Sequence, residues 1–165
     1  MGWKNHLYQQ INSGNNIYLC HGRARAFSKK CYSKLRWPKV WSEDAYSYLE
    51  NQRLGFKFAF SPKAIIYYQS PHTLNDHLRQ SKRFLTNTKI LSNYFPLTTL
   101  SQNFDIPKKL FFTEIIKGVI SHPLYATTYI SFFLISLLQT KISSNQTSSN
   151  MAMWEPSVST KTIKI

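Results

Sequence analysis

Cysteine is scarce in this sequence, where only Cys20 and Cys31 occur among the 165 residues. Two cysteines are too few for a disulfide scaffold, and a zinc site of the usual kind would need a second pair of ligands. We therefore expect both thiols to be reduced, as in an intracellular protein. The first residues contain no apolar run of the kind found in signal peptides, so we expect no export.

Acidic residues are also few, with 7 Asp and Glu against 21 Lys and Arg, which gives a formal net charge of +14. Such an excess is far larger than solubility requires. It indicates an anionic neighbour, which is a nucleic acid, an anionic lipid surface or a phosphorylated substrate. Composition alone leaves these three alternatives open.

Charge is absent from residues 118–138, which contain no Asp, Glu, Lys or Arg. A helix of this length reaches about 31 Å at about 1.5 Å per residue, enough to cross a hydrocarbon core of roughly 30 Å. The sequence therefore predicts a transmembrane helix within residues 110–140, although a buried hairpin would share the pattern. Lys108, Lys109 and Lys117 precede the apolar run, which predicts a membrane protein whose N-terminal domain lies on the cytosolic side.

The rest of the chain divides by composition into three parts. Residues 1–84 mix basic, aromatic and apolar positions with turn signals and are expected to form a folded domain. Residues 85–109 form a polar connector that contains Pro96 and Pro107. Residues 141–165 are rich in Ser, Thr and Asn, which is typical of a disordered tail.

The local patterns of residues 1–84 predict an α/β fold. Helices are expected near residues 4–11, 26–34, 42–52 and 73–85, and Ser42 is a suitable N-cap for the third. A strand or loop is expected at residues 16–20. Residues 56–60 (FKFAF) alternate like a strand, and residues 64–68 (AIIYY) resume extended character after Pro62.

Two groups of side chains carry candidate chemistry. Glu43 and Asp44 stand at a helix start, where a carboxylate either complements the helix dipole or accepts a proton from an attacking hydroxyl. Gln80, Arg83 and Phe84 share one helix face, which either grips a diphosphate and stacks on a sugar or base, or is a solvated helix end. Neither group decides the function by itself.

The order and spacing of four motifs give more information than either group of side chains alone. Residues 22–30 (GRARAFSKK), 41–44 (WSED), 54–64 (LGFKFAFSPKA) and 80–84 (QSKRF) follow one another before an apolar segment. This succession resembles the acceptor-binding half of the membrane-attached family-2 glycosyltransferases. The match covers a glycine-led segment, a Glu-Asp element, a Gly-aromatic-strand-Pro-x-Ala passage and a Gln-x-x-Arg-Trp element, with phenylalanine here in place of the tryptophan.

The resemblance implies a partial GT-A-like domain that transfers a sugar, with inversion, from a nucleotide diphosphate to a hydroxyl acceptor that is a saccharide or is lipid-linked. Asp44 would be the general base, and Glu43 would shape the same helix start. The substrate-binding positions would be Gly22, Arg23, Gln80, Arg83 and Phe84. The resemblance further implies that Asp44, Gln80 and Arg83 meet in one cleft.

Members of that family also carry an Asp-x-Asp element that holds a divalent metal, and no Asp-x-Asp occurs in this sequence. The resemblance therefore implies that the sugar-nucleotide-binding half is missing and that this chain holds no cofactor. Mg²⁺ or Mn²⁺ is expected only with the missing N-terminal half, and the chain alone is expected to be inactive.

The sequence leaves two other classes of function open. Basic residues interleaved with Phe27, Tyr32 and Trp37 would suit a small nucleic-acid-binding protein. A non-catalytic membrane adaptor would use the same basic surface to bind anionic lipid. The predicted membrane segment disfavours the nucleic-acid alternative, which makes nucleic acid the least expected partner.

Overall fold

A computed structural model describes residues 3–38, 42–68 and 72–143. Within these ranges the regular structure is entirely helical. The α-helices are α1 (Trp3–Gln10), α2 (Lys29–Tyr32), α3 (Glu43–Arg53), α4 (Leu74–Leu91), α5 (Leu97–Phe104), α6 (Lys108–Ser121) and α7 (Pro123–Ser143), and two 3-10 turns lie at Ile11–Gly14 and Ile17–Leu19. The four helices expected in residues 1–84 are therefore present.

Helix α3 lies in the main hydrophobic core and so fixes the position of its own first turn. Leu49 is only 1% exposed and packs in one cluster with Leu91 of α4 and Leu100 of α5. On the same helix, the ring of Tyr46 lies 5.4 Å from the ring of Phe95. Burying these side chains is the main stabilising contribution here, about 1.5–3 kcal/mol for each large apolar residue.

The segment after α1 is held by one buried amide. The Asn16 side chain donates hydrogen bonds to the carbonyl oxygens of Tyr8 (2.7 Å) and Ile11 (2.8 Å), and its oxygen accepts one from the amide of Tyr18 (3.0 Å). Residues 16–20 consequently form a tight turn, and the strand alternative expected there is wrong. The Tyr18 hydroxyl donates to the Phe104 carbonyl at 2.6 Å, which ties this turn to α5.

The expected α/β fold is wrong, because the described residues contain no β-strand. Residues 56–60 and 64–68, which were expected to be strands, belong to no helix or strand, and no ladder of backbone hydrogen bonds joins them to each other or to another described segment. Alternating apolar residues favour an extended backbone, whereas a sheet also requires a neighbouring strand to complete its hydrogen bonds.

The expected transmembrane helix is also wrong. No helix in the described ranges combines the length and the apolar character needed to cross a bilayer. The uncharged run is broken in the middle, because α6 ends at Ser121 and α7 begins at Pro123. Proline lacks a backbone donor and clashes with the preceding turn, so it starts a new helix and cannot continue the old one.

The helices do not follow the expected division at residue 84. Helix α4 runs through that position without interruption to Leu91, and α5 lies inside the expected connector. Near the N-terminus, His6 contacts Glu114 of α6 through Nδ1 and Oε2 at 2.9 Å. The proposed domain boundaries stay a prediction, and the tail from residue 144 lies outside the described residues.

Candidate active site

The first turn of α3 carries the two carboxylates that the sequence singled out. Ser42 occupies the N-cap position, but its hydroxyl bonds to the Asn87 side chain of α4 and caps no amide of its own helix. Asp44 Oδ1 accepts a hydrogen bond from the amide of Ala45 at 2.9 Å. This contact satisfies one donor at the helix start and fixes the orientation of the Asp44 carboxylate.

A loop leading away from Cys20 passes directly over this turn. A Cβ placed on Gly22 would lie 3.5 Å from Asp44 Oδ2, so the glycine backbone and the carboxylate are neighbours. The Cys20 thiol donates to the Asp44 carbonyl at 3.5 Å, and the Ser47 hydroxyl donates to the same carbonyl at 2.9 Å. The backbone on which the Asp44 carboxylate stands is therefore held by the loop and by its own helix.

Arg25 holds the loop on α3 through hydrogen bonds. Its Nη1 donates to the Glu43 carbonyl at 2.9 Å and to the Ser47 hydroxyl at 2.7 Å, and its Nη2 lies 4.0 Å from Glu43 Oε2. The Arg25 side chain is only 15% exposed, whereas that of Glu43 is 63% exposed. Arg25 is therefore a structural cation, and the Glu43 carboxylate remains accessible to a ligand.

A pocket of about 530 Å³ opens beside this arrangement. Cationic and aromatic groups share its wall with one carboxylate, and the lining residues are Gly22, Arg23, Ala24, Arg25, Phe27, Tyr32, Trp37 and Glu43. Aromatic faces pack against the apolar faces of sugar rings or bases, while guanidinium groups bind phosphate or carboxylate oxygens. The pocket therefore suits a ligand with both ring faces and polar or anionic substituents.

Arg23 links the pocket to residues 64–68, which follow α3 in the chain. Its guanidinium carbon lies 3.4 Å from the centroid of the Tyr68 ring. This is close cation–π contact, which gives the Arg23 side chain a preferred position at the pocket wall. The position of residues 64–68 thus affects the geometry of the site.

Sequence reasoning missed His21, which stands immediately before Gly22. The residue is exposed overall, but neighbouring protein atoms crowd part of the ring, and this desolvation lowers the pKa of His21. The positive charge of Arg23 lowers that pKa further, while Asp44 opposes the change. A neutral imidazole near the carboxylate is an additional proton acceptor, and its place beside the glycine-led segment was the only available signal.

The predicted substrate-binding residues of α4 lie elsewhere. Gln80 and Phe84 line a second, smaller pocket of about 120 Å³ against Tyr129, Phe132 and Phe133 of α7. The Phe84 side chain is exposed, and the side chain of Arg83 lies outside the described part of the chain, as does Trp41. The structure thus brings Gly22, Arg23 and Glu43 together beside Asp44 and does not bring Gln80 and Phe84 into the same pocket.

A metal ion finds no set of ligands in this part of the molecule. Across the described ranges, no group of three or more His, Cys, Asp or Glu side chains is placed to hold one. Glu43 and Asp44 alone offer too few ligands for an octahedral divalent cation. The described residues therefore offer no metal site, and the expectation that Mg²⁺ or Mn²⁺ belongs only to the missing half stays a prediction. Arg23 and Arg25 supply positive charge at the pocket.

A carboxylate-bearing helix start beside an arginine- and aromatic-lined pocket defines a site that can bind a polar ring and accept its proton. The model of the Glycosyl transferase family group 2 matches residues 4–154, and the chain belongs to that family. The resemblance to family-2 glycosyltransferases is thereby confirmed at the level of the family. Comparisons with curated proteins and with solved structures gave no match.

Membership in this family establishes the general activity, which is the transfer of a glycosyl group. A domain of this kind implies a nucleotide sugar and an acceptor as its partners. The roles of the individual residues are not tested by the match. Asp44, Glu43, Gln80, Arg83, Phe84, Gly22 and Arg23 therefore keep their predicted roles as predictions.

Proposed function

We propose that this chain supplies the acceptor side of a glycosyltransferase, in which Asp44 deprotonates a hydroxyl acceptor that attacks a nucleotide-diphosphate sugar. The observation that carries the proposal is the position of Asp44, whose Oδ2 lies 3.5 Å from where a Cβ on Gly22 would be, because Gly22 lines the 530 Å³ pocket. Family membership supports glycosyl transfer in general, and this geometry supports the choice of base.

The chemical step is a direct displacement. The acceptor hydroxyl gives its proton to Asp44 Oδ2 while its oxygen forms a bond to the anomeric carbon of the sugar. The bond from that carbon to the diphosphate oxygen breaks, and the electron pair leaves with the nucleotide diphosphate. Attack from the face opposite the leaving group inverts the anomeric configuration. A positioned base of this kind contributes about 10²–10⁴ in rate.

The pocket wall positions the acceptor. Phe27 and Trp37 offer faces for the apolar side of a sugar ring, and their centroids lie 6.0 Å apart with nearly perpendicular planes. Glu43, with its exposed carboxylate, accepts hydrogen bonds from further hydroxyls. The acceptor is a saccharide or a lipid-linked hydroxyl compound, and Arg23 favours one that carries an anionic group.

Donor binding comes from another polypeptide segment in this proposal. That segment carries the Asp-x-Asp element and its Mg²⁺ or Mn²⁺, because this sequence contains no such element. The isolated chain therefore neither binds a nucleotide sugar tightly nor turns it over. Calorimetry with a panel of nucleotide sugars and either metal tests this statement, and micromolar binding by the chain alone contradicts it.

The test of the base is complementation. The chain and a donor-binding half are expressed in a cell that lacks the transferase, and incorporation of labelled sugar is measured for Asp44→Asn, Glu43→Gln and the parent. We expect a loss of about 10²–10⁴ for Asp44→Asn. Glu43→Gln should mainly weaken acceptor binding, and Asp105→Asn, an exposed carboxylate on another loop, serves as the control.

Two outcomes contradict the proposal. If Asp44→Asn retains transfer while Glu43→Gln abolishes it, the base has been assigned to the wrong carboxylate. If neither change affects transfer, the chain contributes no acid–base chemistry and acts as an adaptor. Circular dichroism of each variant shows whether the helical fold survives, so that a folding defect is not taken for a catalytic one.

The proposed location is the cytosolic surface of a membrane. Helix α6 exposes Phe112, Ile116 and Ile120 at intervals of four residues, and Lys109 and Lys117 lie on the same helix. An exposed apolar stripe with basic neighbours is suited to an anionic bilayer surface. The chain should sediment together with anionic vesicles, and the double variant Phe112→Ser, Ile120→Ser should stay in the supernatant. Equal recovery with neutral vesicles contradicts the electrostatic part.

A further inference from the structure

Residues 56–60 and 64–68 flank a turn and belong to no helix or strand, and their side chains alternate in exposure. Phe56, Phe58 and Phe60 are half-buried, whereas Lys57, Ala59 and Ser61 between them are exposed. The Phe58 ring lies 5.3 Å from the ring of Tyr48 on α3, and Phe60 Cδ1 lies 3.1 Å from where a Cβ on Gly14 would be. This alternation with a period of two is that of a β-strand with one face packed on a core.

The same alternation continues in residues 64–68. Ile65 and Tyr67 are 73% and 93% exposed, while Ile66 and Tyr68 are 45% and 57% exposed. Tyr68 is the residue stacked against Arg23 at the pocket wall. The less exposed side of this segment therefore faces the candidate active site, and the more exposed side carries large apolar groups. Exposed neighbouring apolar residues of this kind mark an interaction surface.

Within the described residues, backbone amides in the first part of this segment have hydrogen-bond partners, whereas residues 65–68 have no backbone partner. The Phe60 amide donates to the Asn15 side chain, and the Ala64 amide closes a turn with the Ser61 carbonyl. Among the residues that the structure describes, none forms a backbone hydrogen bond with Ile65, Ile66, Tyr67 or Tyr68. Residues with high β-propensity and unpaired backbone groups form an edge that accepts another strand.

Charge decides what occupies this edge. Residues 54–68 contain Lys57 and Lys63 and no Asp or Glu, and the whole chain carries +14. Both lysines are exposed. Pairing of two copies of the segment would place like charges near each other, which is unfavourable. A strand that carries carboxylates at alternate positions would instead meet these lysines with opposite charge.

We propose that residues 56–60 and 64–68 are edge strands that receive an acidic, extended segment of a partner polypeptide. The incoming strand hydrogen-bonds to the backbone of residues 64–68 and covers Ile65 and Tyr67. Because Tyr68 packs against Arg23, this pairing also fixes the wall of the 530 Å³ pocket. The inference does not rest on the identity of the catalytic base, since it concerns binding alone.

The experiment uses the full chain and two synthetic peptides of about ten residues, a length typical of strands. One peptide alternates Val or Thr with Glu, and the other has Lys in place of every Glu. Amide hydrogen exchange of residues 56–68 is followed by mass spectrometry as each peptide is raised to about 1 mM. We expect exchange at residues 64–68 to slow by about tenfold or more with the acidic peptide and to remain unchanged with the basic one.

A charge-reversal variant provides the matched control. Lys57→Glu with Lys63→Glu leaves the backbone and the apolar side chains in place, and it should transfer the protection from the acidic to the basic peptide. Ile66→Pro removes a backbone donor from the edge and should abolish protection by either peptide.

Three results overturn the proposal. Equal protection by both peptides rejects the role of charge, and no protection by either rejects the edge itself. If residues 64–68 of the free chain exchange slowly, and their protection increases with protein concentration, then the occupant is a second copy of this chain. Because none of these measurements involves sugar transfer, failure here is separate from failure of the proposed base.

Discussion

Glu114 provides the most quantitative prediction of this fold. The residue is 3% exposed, and its carboxylate accepts hydrogen bonds from Lys117 Nζ and His6 Nδ1, each at 2.9 Å. These donors, Lys117 first, lower the pKa of Glu114 from 4.5 to about 2, while burial opposes the change. The pair with His6 joins α1 to α6, so its loss should loosen the contact between these two helices.

The sign of the pH dependence follows from the lowered pKa. Since the folded chain binds this proton less readily than the unfolded chain, the stabilisation is complete above about pH 4.5 and is lost as the pH falls towards 2. The fall from 4.5 to about 2 sets an upper bound of roughly 3 kcal/mol, at about 1.4 kcal/mol per pKa unit. Because the side chains of His6 and Lys117 are each 61% exposed, solvent screening reduces the expected contribution to about 1–2 kcal/mol.

The assay is urea unfolding of the parent chain and of Glu114→Gln between pH 7 and pH 3. At pH 7 the variant should unfold with a free energy about 1–2 kcal/mol lower. The difference should shrink below pH 4.5, because the unfolded parent chain then binds a proton at Glu114 while the folded chain stays ionised until about pH 2. Asp105→Asn removes the same charge from an exposed position and should change stability by less than about 0.5 kcal/mol. A difference for Glu114→Gln that is constant across this pH range would refute the linkage.

Two further predictions concern the core. Leu49→Ala should lower the free energy of unfolding by about 2–5 kcal/mol in urea titration, because Leu49 is 1% exposed. Leu134→Ala, at an exposed position of α7, should change it little, and similar effects of the two substitutions would place the core elsewhere. Burial raises the pKa of Cys20 from 9.0 to about 11, so iodoacetamide should alkylate it about a hundredfold more slowly in the native chain than in urea at pH 8. Equal rates by mass spectrometry would contradict that burial.

The helices were predictable because their signals are local. The Thr73 hydroxyl accepts a hydrogen bond from the amide of Asp76 at the start of α4, and Glu43 and Asp44 lie in the first turn of α3, although Ser42 before them caps no amide. Signals of this kind involve residues only a few positions apart, so the local sequence contains them. The break between α6 and α7 is equally local, because Pro123 itself ends one helix and starts the next. An uncharged run shows that a segment is apolar but not that it is one helix, and here the proline divides it.

The absence of a sheet from the described residues could not be predicted from the same kind of signal. A strand needs a partner, and the partner's identity is not contained in the alternation of residues 56–60. The residues predicted for the candidate site differ in the same way. Gly22 and Glu43 line one pocket although α2 lies between them in the chain, and the family resemblance assigns both to the site. Gln80 and Phe84 face α7, and the choice of that packing partner depends on the apolar residues of α7, which no local pattern connects to α4.

The two arginines of the pocket differ in what holds them, and this difference connects the site to the open edge. Arg25 is fixed by hydrogen bonds within the described domain, to the Glu43 carbonyl and the Ser47 hydroxyl. Arg23 is positioned by Tyr68, whose backbone, like that of residues 65–67, has no hydrogen-bond partner among the described residues. The domain by itself therefore fixes one side of the pocket and leaves the Arg23 side dependent on what pairs with residues 64–68. A strand bound to residues 64–68 would thus order the Arg23 side chain at the pocket without altering the helical core.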